Sequence, residues 1–172
     1  MFKTIKTVTL VIVISFSFIT VSCFSSFEEE VERTPEQEAA ELTQVLNDIE
    51  ENGYNIDTTD LGVYYVVHVQ GSDTLPQAGD TCYLQYDGFL LDGTLFDASA
   101  HHYADGIWEF VFQEIQLIPG FDDGIALMGK GTELDMFIPS HLGYGAYGSG
   151  TIAPFSTLMF SAKMIDLKPY VD

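Results

Sequence analysis

Positive charge is the scarcest feature of this chain: six lysines and arginines stand against 26 aspartates and glutamates in 172 residues. Two of the six, Lys3 and Lys6, precede the first acidic residue, Glu28. Without segment 1–22, four basic residues face 26 acidic ones, a formal charge near −22. A field of that sign repels phosphate backbones and anionic headgroups, so nucleic acid and electrostatic adsorption to lipid are excluded as partners. Cysteine is almost as rare, with Cys23 and Cys82 alone. If Cys23 is modified no disulfide can form, and the fold must rest on its core. The four histidines form no cluster: His68 and His141 are isolated, and His101 and His102 are neighbours that point apart in an extended chain. Solvent-facing histidines and no metal site are expected. The acidic runs Asp122-Asp123 and Glu28 to Glu30 lack the spaced aspartates of a calcium loop. No cofactor is implied.

A long apolar membrane span is also missing. The run from Thr7 to Val21 is short, uncharged and rich in serine and threonine, and it comes after a basic start. That is the layout of a secretory signal, with an uncleaved anchor helix as the alternative. Its end, "TVSC", resembles the bacterial lipobox, although Thr20 stands where leucine is usual. The resemblance implies a signal over residues 1–22 and lipidation of Cys23, with the membrane as a partner through the lipid anchor. The expected address is the cell envelope, at the outer membrane, on its periplasmic or surface face. Residues 23–33, serine and glutamate with two phenylalanines, read as an acidic flexible tether.

Beyond the tether the chain is regularly patterned. In "TPEQEAAELTQVLNDIEENGYN" Thr34 suits the N-cap, Pro35 the first helical position and Gln37 a capping box, and Gly53 ends the pattern. Ala39, Leu42, Val45, Leu46 and Ile49 make one apolar stripe, so residues 34–57 are expected to form an amphipathic helical arm, either a spacer packed loosely on the domain or a dimerisation helix. From residue 58 to 172 short β-rich runs alternate with glycine and aspartate. They include "LGVYYVVHVQG", "DTCYLQYDGFLLDGTLFDAS", with a hairpin turn at Asp92-Gly93, "IWEFVFQ", "TELDMFIP" and "STLMFSAKMIDL". One short helix is expected in "IPGFDDGIALMGKG", starting at Pro119. The inventory predicts an α+β domain in which an antiparallel sheet folds over one helix.

Gly143, Gly145 and Gly148 spell G-x-G-x-x-G, with Asp166 about twenty residues on. A dinucleotide fingerprint needs a helix directly after the glycines to hold the pyrophosphate. The next residues, "SGTIAPFS", include Gly150 and Pro154 and show no helical period. The glycines are therefore assigned to a mobile loop between strands.

The stretches "YDGFLLDGTLFDAS", "LIPGFDDGIALMGKG" and "IPSHLGYGAYGSGTIAPFSTLMF", with the lead-in "AGDTCYLQY", resemble in order and spacing the FKBP-type peptidyl-prolyl cis-trans isomerases. The likeness covers about Leu61 to Leu167. It implies a five- to six-stranded antiparallel half-barrel wrapped round one short helix, with an apolar pocket between them. Residue by residue it places Tyr86, Phe96, Asp97, Phe121, Tyr144 and Phe160 in catalytic positions and Trp108, Leu117, Ile118 and Ile152 in substrate-binding ones. Phe121 would form the floor under a proline ring. The Tyr144 hydroxyl and the Ile118 N–H would bond the flanking carbonyls, and Asp97 would orient Tyr86. Phenylalanine at the floor, where the best-known relatives carry tryptophan, implies a shallower pocket, and Ala153 stands where many relatives have the first of two prolines after the isoleucine, which loosens the wall. Phe110 is assigned to the core.

The partners implied are proline-containing polypeptide clients, with macrolide ligands as further candidates, and the activity is prolyl isomerisation assisting the folding of exported proteins. A proline-peptide binding or chaperone module with little turnover is the alternative, and a structural lipoprotein that assembles through its acidic arm is a third reading.

Overall fold

The computed structural model describes residues 33–171; the signal, Cys23 and most of the tether lie outside them. The first element is helix α1 (Pro35–Glu51). Its start is built as the sequence predicts. Thr34 Oγ1 accepts the Gln37 N–H, Gln37 Oε1 accepts the Thr34 N–H, and Pro35 opens the helix. These bonds satisfy N–H groups that the first turn leaves without partners. Asn52 and Gly53 end the helix, and the chain enters the short strand β1 (Asp57–Thr58), so the residues 34–57 hold more than a helix.

Six further strands come after it: β2 (Tyr64–Val69), β3 (Thr81–Leu90), β4 (Leu95–Ala98), β5 (Trp108–Val111), β6 (Glu133–Ile138) and β7 (Leu158–Lys168). All pairings are antiparallel, in the order β1-β2-β6-β7-β3-β4, and β5 also pairs with β3. The long strand β3 therefore carries β7 along one side and divides the other between β5 and β4. That division bends the sheet, helped by register shifts at Tyr83/Leu84 against β7 and at Gly88/Phe89 against β4. A one-turn helix α2 (Ser99–His102) continues from β4, and the concave face of the sheet is closed by α3 (Pro119–Ile125).

Strand alternation selects the core. Leu134, Met136 and Ile138 of β6 and Leu158, Phe160, Ala162 and Met164 of β7 are all buried, and they meet Phe121 and Ile125 of α3, with Cys82, Leu84, Phe110 and Phe112 below. Gly120 lets α3 approach β6: a Cβ there would lie 2.3 Å from Ile138 Cγ2. The fold is α+β, an antiparallel sheet curled round a short helix with an N-terminal helix α1 outside it.

No α-helix lies between the glycines at 143–150 and β7, which removes the dinucleotide reading. The loop is better ordered than its composition suggests. It holds 3-10 turns at Ser140–Leu142 and Gly145–Tyr147, a bridge between Ser149 and Ile152, and a bond from Phe155 N–H to Gly145 O of 2.9 Å. Gly148 has φ +65°, and a Cβ on it would meet Ile152 O at 2.2 Å, so glycine there is a steric requirement of the turn.

Candidate active site

Tyr86 lies near the middle of β3, between its two register shifts, and other aromatic rings gather round it. Trp108 arrives from β5 at 5.8 Å between centroids, Phe121 from α3 at 5.7 Å and Phe160 from β7 at 6.1 Å, each edge-to-face with Tyr86. Phe121 and Phe160 sit 4.5 Å apart at a tilt of 53°. Neighbouring strands and the helix bring these side chains together because their apolar faces share one interior; the edge-to-face angles suit the aromatic quadrupole. The rings line a cavity of about 370 Å³ together with Asp97, Gln116, Leu117, Ile118 and Tyr144.

Each side chain has an identifiable support. Ile118 caps α3, and its carbonyl accepts the N–H groups of Phe121 and Asp122, which fixes the turn that presents Phe121. Phe121 is buried at the bottom of the cavity, whereas Tyr144 at its rim is 38% exposed. Phe110 stacks on Trp108 at 4.2 Å and is buried in the core, as its sequence position suggests. Phe96 and Ile152 stand behind the lining. Phe96 meets Phe160 edge-on at 5.4 Å, and Ile152 is buried in the main core cluster.

The polar side of the cavity is a hydrogen-bonded chain. Tyr86 Oη donates to Asp97 Oδ2 at 2.9 Å, the Ala98 N–H donates to Asp97 Oδ1 at 2.8 Å, and His102 Nε2 lies 2.7 Å from the same Oδ1. Burial, then the adjoining Asp97 carboxylate, pushes the Tyr86 hydroxyl above its ordinary range, so it stays a donor at neutral pH. Burial pushes Asp97 upward as well, but the bonds from His102, Tyr86 and Ala98 outweigh it and hold the carboxyl below its usual value. Asp97 is therefore an ionised anchor for two side chains, one facing the cavity and one facing solvent.

Three features were not read from the sequence. Gln116 lines the cavity but sits in an irregular segment with no pattern to mark it. His102, expected as a bare solvent-facing residue, is carried back to Asp97 by the turn of α2, and His68 likewise meets Asp135 at 2.8 Å. The third, Glu38, lies on α1. Among the described residues no group of three or more histidine, cysteine, aspartate or glutamate side chains is arranged to hold a metal.

Residues 72–165, more than half of the chain, match the family model described as FKBP-type peptidyl-prolyl cis-trans isomerase. The chain belongs to the FKBP family. It is 35% identical over 118 residues to the FKBP-type peptidyl-prolyl cis-trans isomerase FkpA of Aeromonas hydrophila, covering 68% of this chain and 42% of that one. It is 33% identical over 108 residues to the outer membrane protein MIP of Legionella longbeachae, covering 62% of this chain and 45% of that protein. The crystal structure of a peptidyl-prolyl cis-trans isomerase from Pseudomonas syringae pv. tomato superposes with a TM-score of 0.65 at 26% identity, over 80% of this chain and 98% of the other. The chain thus spans less than half the length of these two sequence relatives.

Proposed function

We propose that this FKBP-family chain catalyses cis-trans isomerisation of prolyl peptide bonds in exported polypeptides. The observation that carries the reading is the aromatic cavity between the sheet and α3, with Tyr86 held by Asp97 on its wall and Tyr144 at its rim. Rotation about a prolyl bond meets a barrier of about 18–20 kcal/mol because amide resonance is lost at the twisted geometry. No nucleophile or metal is needed to lower it. A dry aromatic slot favours the less polar twisted amide over the planar one, and fixed donors select the twisted carbonyl orientation. In this reading Phe121 supports the ring, Trp108, Leu117 and Phe160 wall it, and the Tyr144 hydroxyl and Ile118 N–H bond the flanking carbonyls. Phe96 and Ile152 act from behind, by holding Phe160 and the loop.

The proposed setting is the cell envelope, with the signal removed at residue 22 and the chain anchored by lipid on Cys23. The leader sequence supports this, as does the likeness to an outer membrane protein of Legionella longbeachae. Uncatalysed prolyl isomerisation takes tens of seconds or more, long enough to limit folding of exported clients. The test is isomerisation of a proline tetrapeptide by the purified chain, expected well above the thermal background. Peptide binding without turnover would select the binding or chaperone module instead, and neither would refute both.

A further inference from the structure

The loop that carries Tyr144 leaves β6 and rejoins β7 just beyond the paired residues Ile138 and Leu158. Between its two ends sits a carboxylate from outside the sheet. Glu38 of α1 is only 7% exposed, and Ser140 and Thr157, at the two ends of the loop, are 4% and 2% exposed. Glu38 Oε1 accepts the Ser140 N–H at 2.6 Å and the Thr157 hydroxyl at 2.8 Å, while Oε2 accepts the Ser140 hydroxyl at 2.5 Å. A single side-chain carboxyl group therefore joins both feet of the loop. None of the ion pairs among the described residues involves it. Seating a helix does not require this: burying a charge is costly, and apolar side chains such as Leu42 on the same face would serve.

The same helix end reaches the loop a second time. Arg33, paired with Glu41, donates to Phe155 O at 3.3 Å, and the Phe155 N–H donates to Gly145 O at 2.9 Å. Gly145 is the neighbour of Tyr144, and Ser140 opens the 3-10 turn that ends just before it. The N-terminal half of α1 thus braces the pocket loop from outside the cavity that Tyr144 helps to line.

We infer that Glu38 is a positioning residue of the isomerase site, acting through Ser140 and Thr157 on the placement of the Tyr144 hydroxyl. This rests on the function proposed above. The test uses the full chain and two readouts: isomerisation of a proline tetrapeptide, and binding of the same peptide followed by fluorescence of Trp108, the single tryptophan, which lines the cavity. Because misplacing a donor costs at most what deleting it costs, Glu38→Ala is expected to lower kcat/KM by about twofold to tenfold, no more than Tyr144→Phe does, at temperatures well below its Tm. Glu38→Gln can keep all three contacts, its carbonyl replacing Oε1 and its amide donating to the Ser140 hydroxyl, and should stay within about twofold of the unaltered chain. Tyr144→Phe should cost less in the Glu38→Ala background than alone, since both changes disable one interaction.

Thr157→Val removes one foot without changing shape, and a smaller loss in the same direction is expected; it carries the test if Glu38→Ala does not fold. A lowered Tm with unchanged kcat/KM and peptide affinity, in whichever of the two variants folds, would overturn the inference and leave Glu38 a structural anchor. Additive losses with Tyr144→Phe would overturn the route through Tyr144. Failure of the unaltered chain to isomerise the peptide would instead overturn the functional reading, and the Trp108 signal would separate the two failures.

Discussion

Phe121 and Tyr144 differ in what they expose, and that difference predicts opposite outcomes. Phe121 is buried under the cavity with room above it, so Phe121→Trp should deepen the apolar contact with a proline ring and raise kcat/KM. Tyr144→Phe removes a rim hydroxyl, and a loss of one hydrogen bond of about 0.5–1.5 kcal/mol corresponds to a drop of roughly twofold to tenfold in kcat/KM. A peptide isomerisation assay on both variants checks this, with circular dichroism confirming the fold. Asp97 carries a pH prediction. Its carboxyl is held below the ordinary range in the folded chain, so its contribution to stability is complete above the unfolded value of about 3.9 and fades as pH falls through the lower folded value. Asp97→Asn should therefore flatten the acid limb of Tm against pH below about pH 4, and a limb of unchanged steepness would show that other carboxylates govern acid unfolding. Cys82 is fully buried, and burial together with Asp80 pushes its thiol up to about 12, which keeps it unreactive in the native chain.

Helix α3 is short, and tertiary contact holds it in place. Its seat against β6 depends on Gly120, since a methyl there would overlap Ile138. Gly120→Ala should destabilise the fold by about 1–3 kcal/mol, the usual range for overpacking, although alanine is the better helix former. Because α3 also presents Phe121, peptide affinity should fall with stability; urea denaturation and Trp108 fluorescence measure the two separately. Helix α1 is seated through two buried side chains, Glu38 and Leu42. Its capping box and apolar stripe explain why it is helical and why Leu42 is buried, but the part of its attachment made by Glu38 is not revealed by a stripe of apolar positions. Ala39, counted in that stripe, is exposed, and the buried pair is Glu38 and Leu42, one turn apart.

Across the whole chain the charge is far from balanced, and the four cations among the described residues are each engaged. Arg33 pairs with Glu41, Lys130 with Asp166 and Lys163 with Glu133, while Lys168 donates to the Tyr83 hydroxyl. These exposed contacts stabilise little. The remaining carboxylates repel one another, so Tm should rise when salt is increased from about 0.02 to 0.5 M, as the screening length shrinks to a few ångströms. A flat or falling Tm would argue against self-repulsion as a destabilising force. The proposed membrane anchor is testable apart from the fold. Expressed with its leader, the chain should fractionate with membranes and carry fatty acid by mass spectrometry, and Cys23→Ser should abolish the acyl mass. An acylated Cys23→Ser chain would overturn the anchor assignment.

The element types and a sheet folded over a short helix were legible because each depends on local patterns: two-residue alternation in β6 and β7, Pro119 opening α3, and Asp92-Gly93 turning β3 into β4. The cavity lining was expected only through the family likeness, since no local pattern marks which rings will face one another. The sequence by itself determined those elements and the acidic surface, since backbone propensity, side-chain periodicity and net charge are properties of the chain alone. Only the tertiary structure decided that His102 supports Asp97, that Gln116 joins the lining, and that Glu38 ties the ends of the Tyr144 loop across 102 and 119 residues of sequence. A carboxylate becomes a clamp only when the donors it satisfies are brought out of water beside it, and no local pattern encodes where they will be.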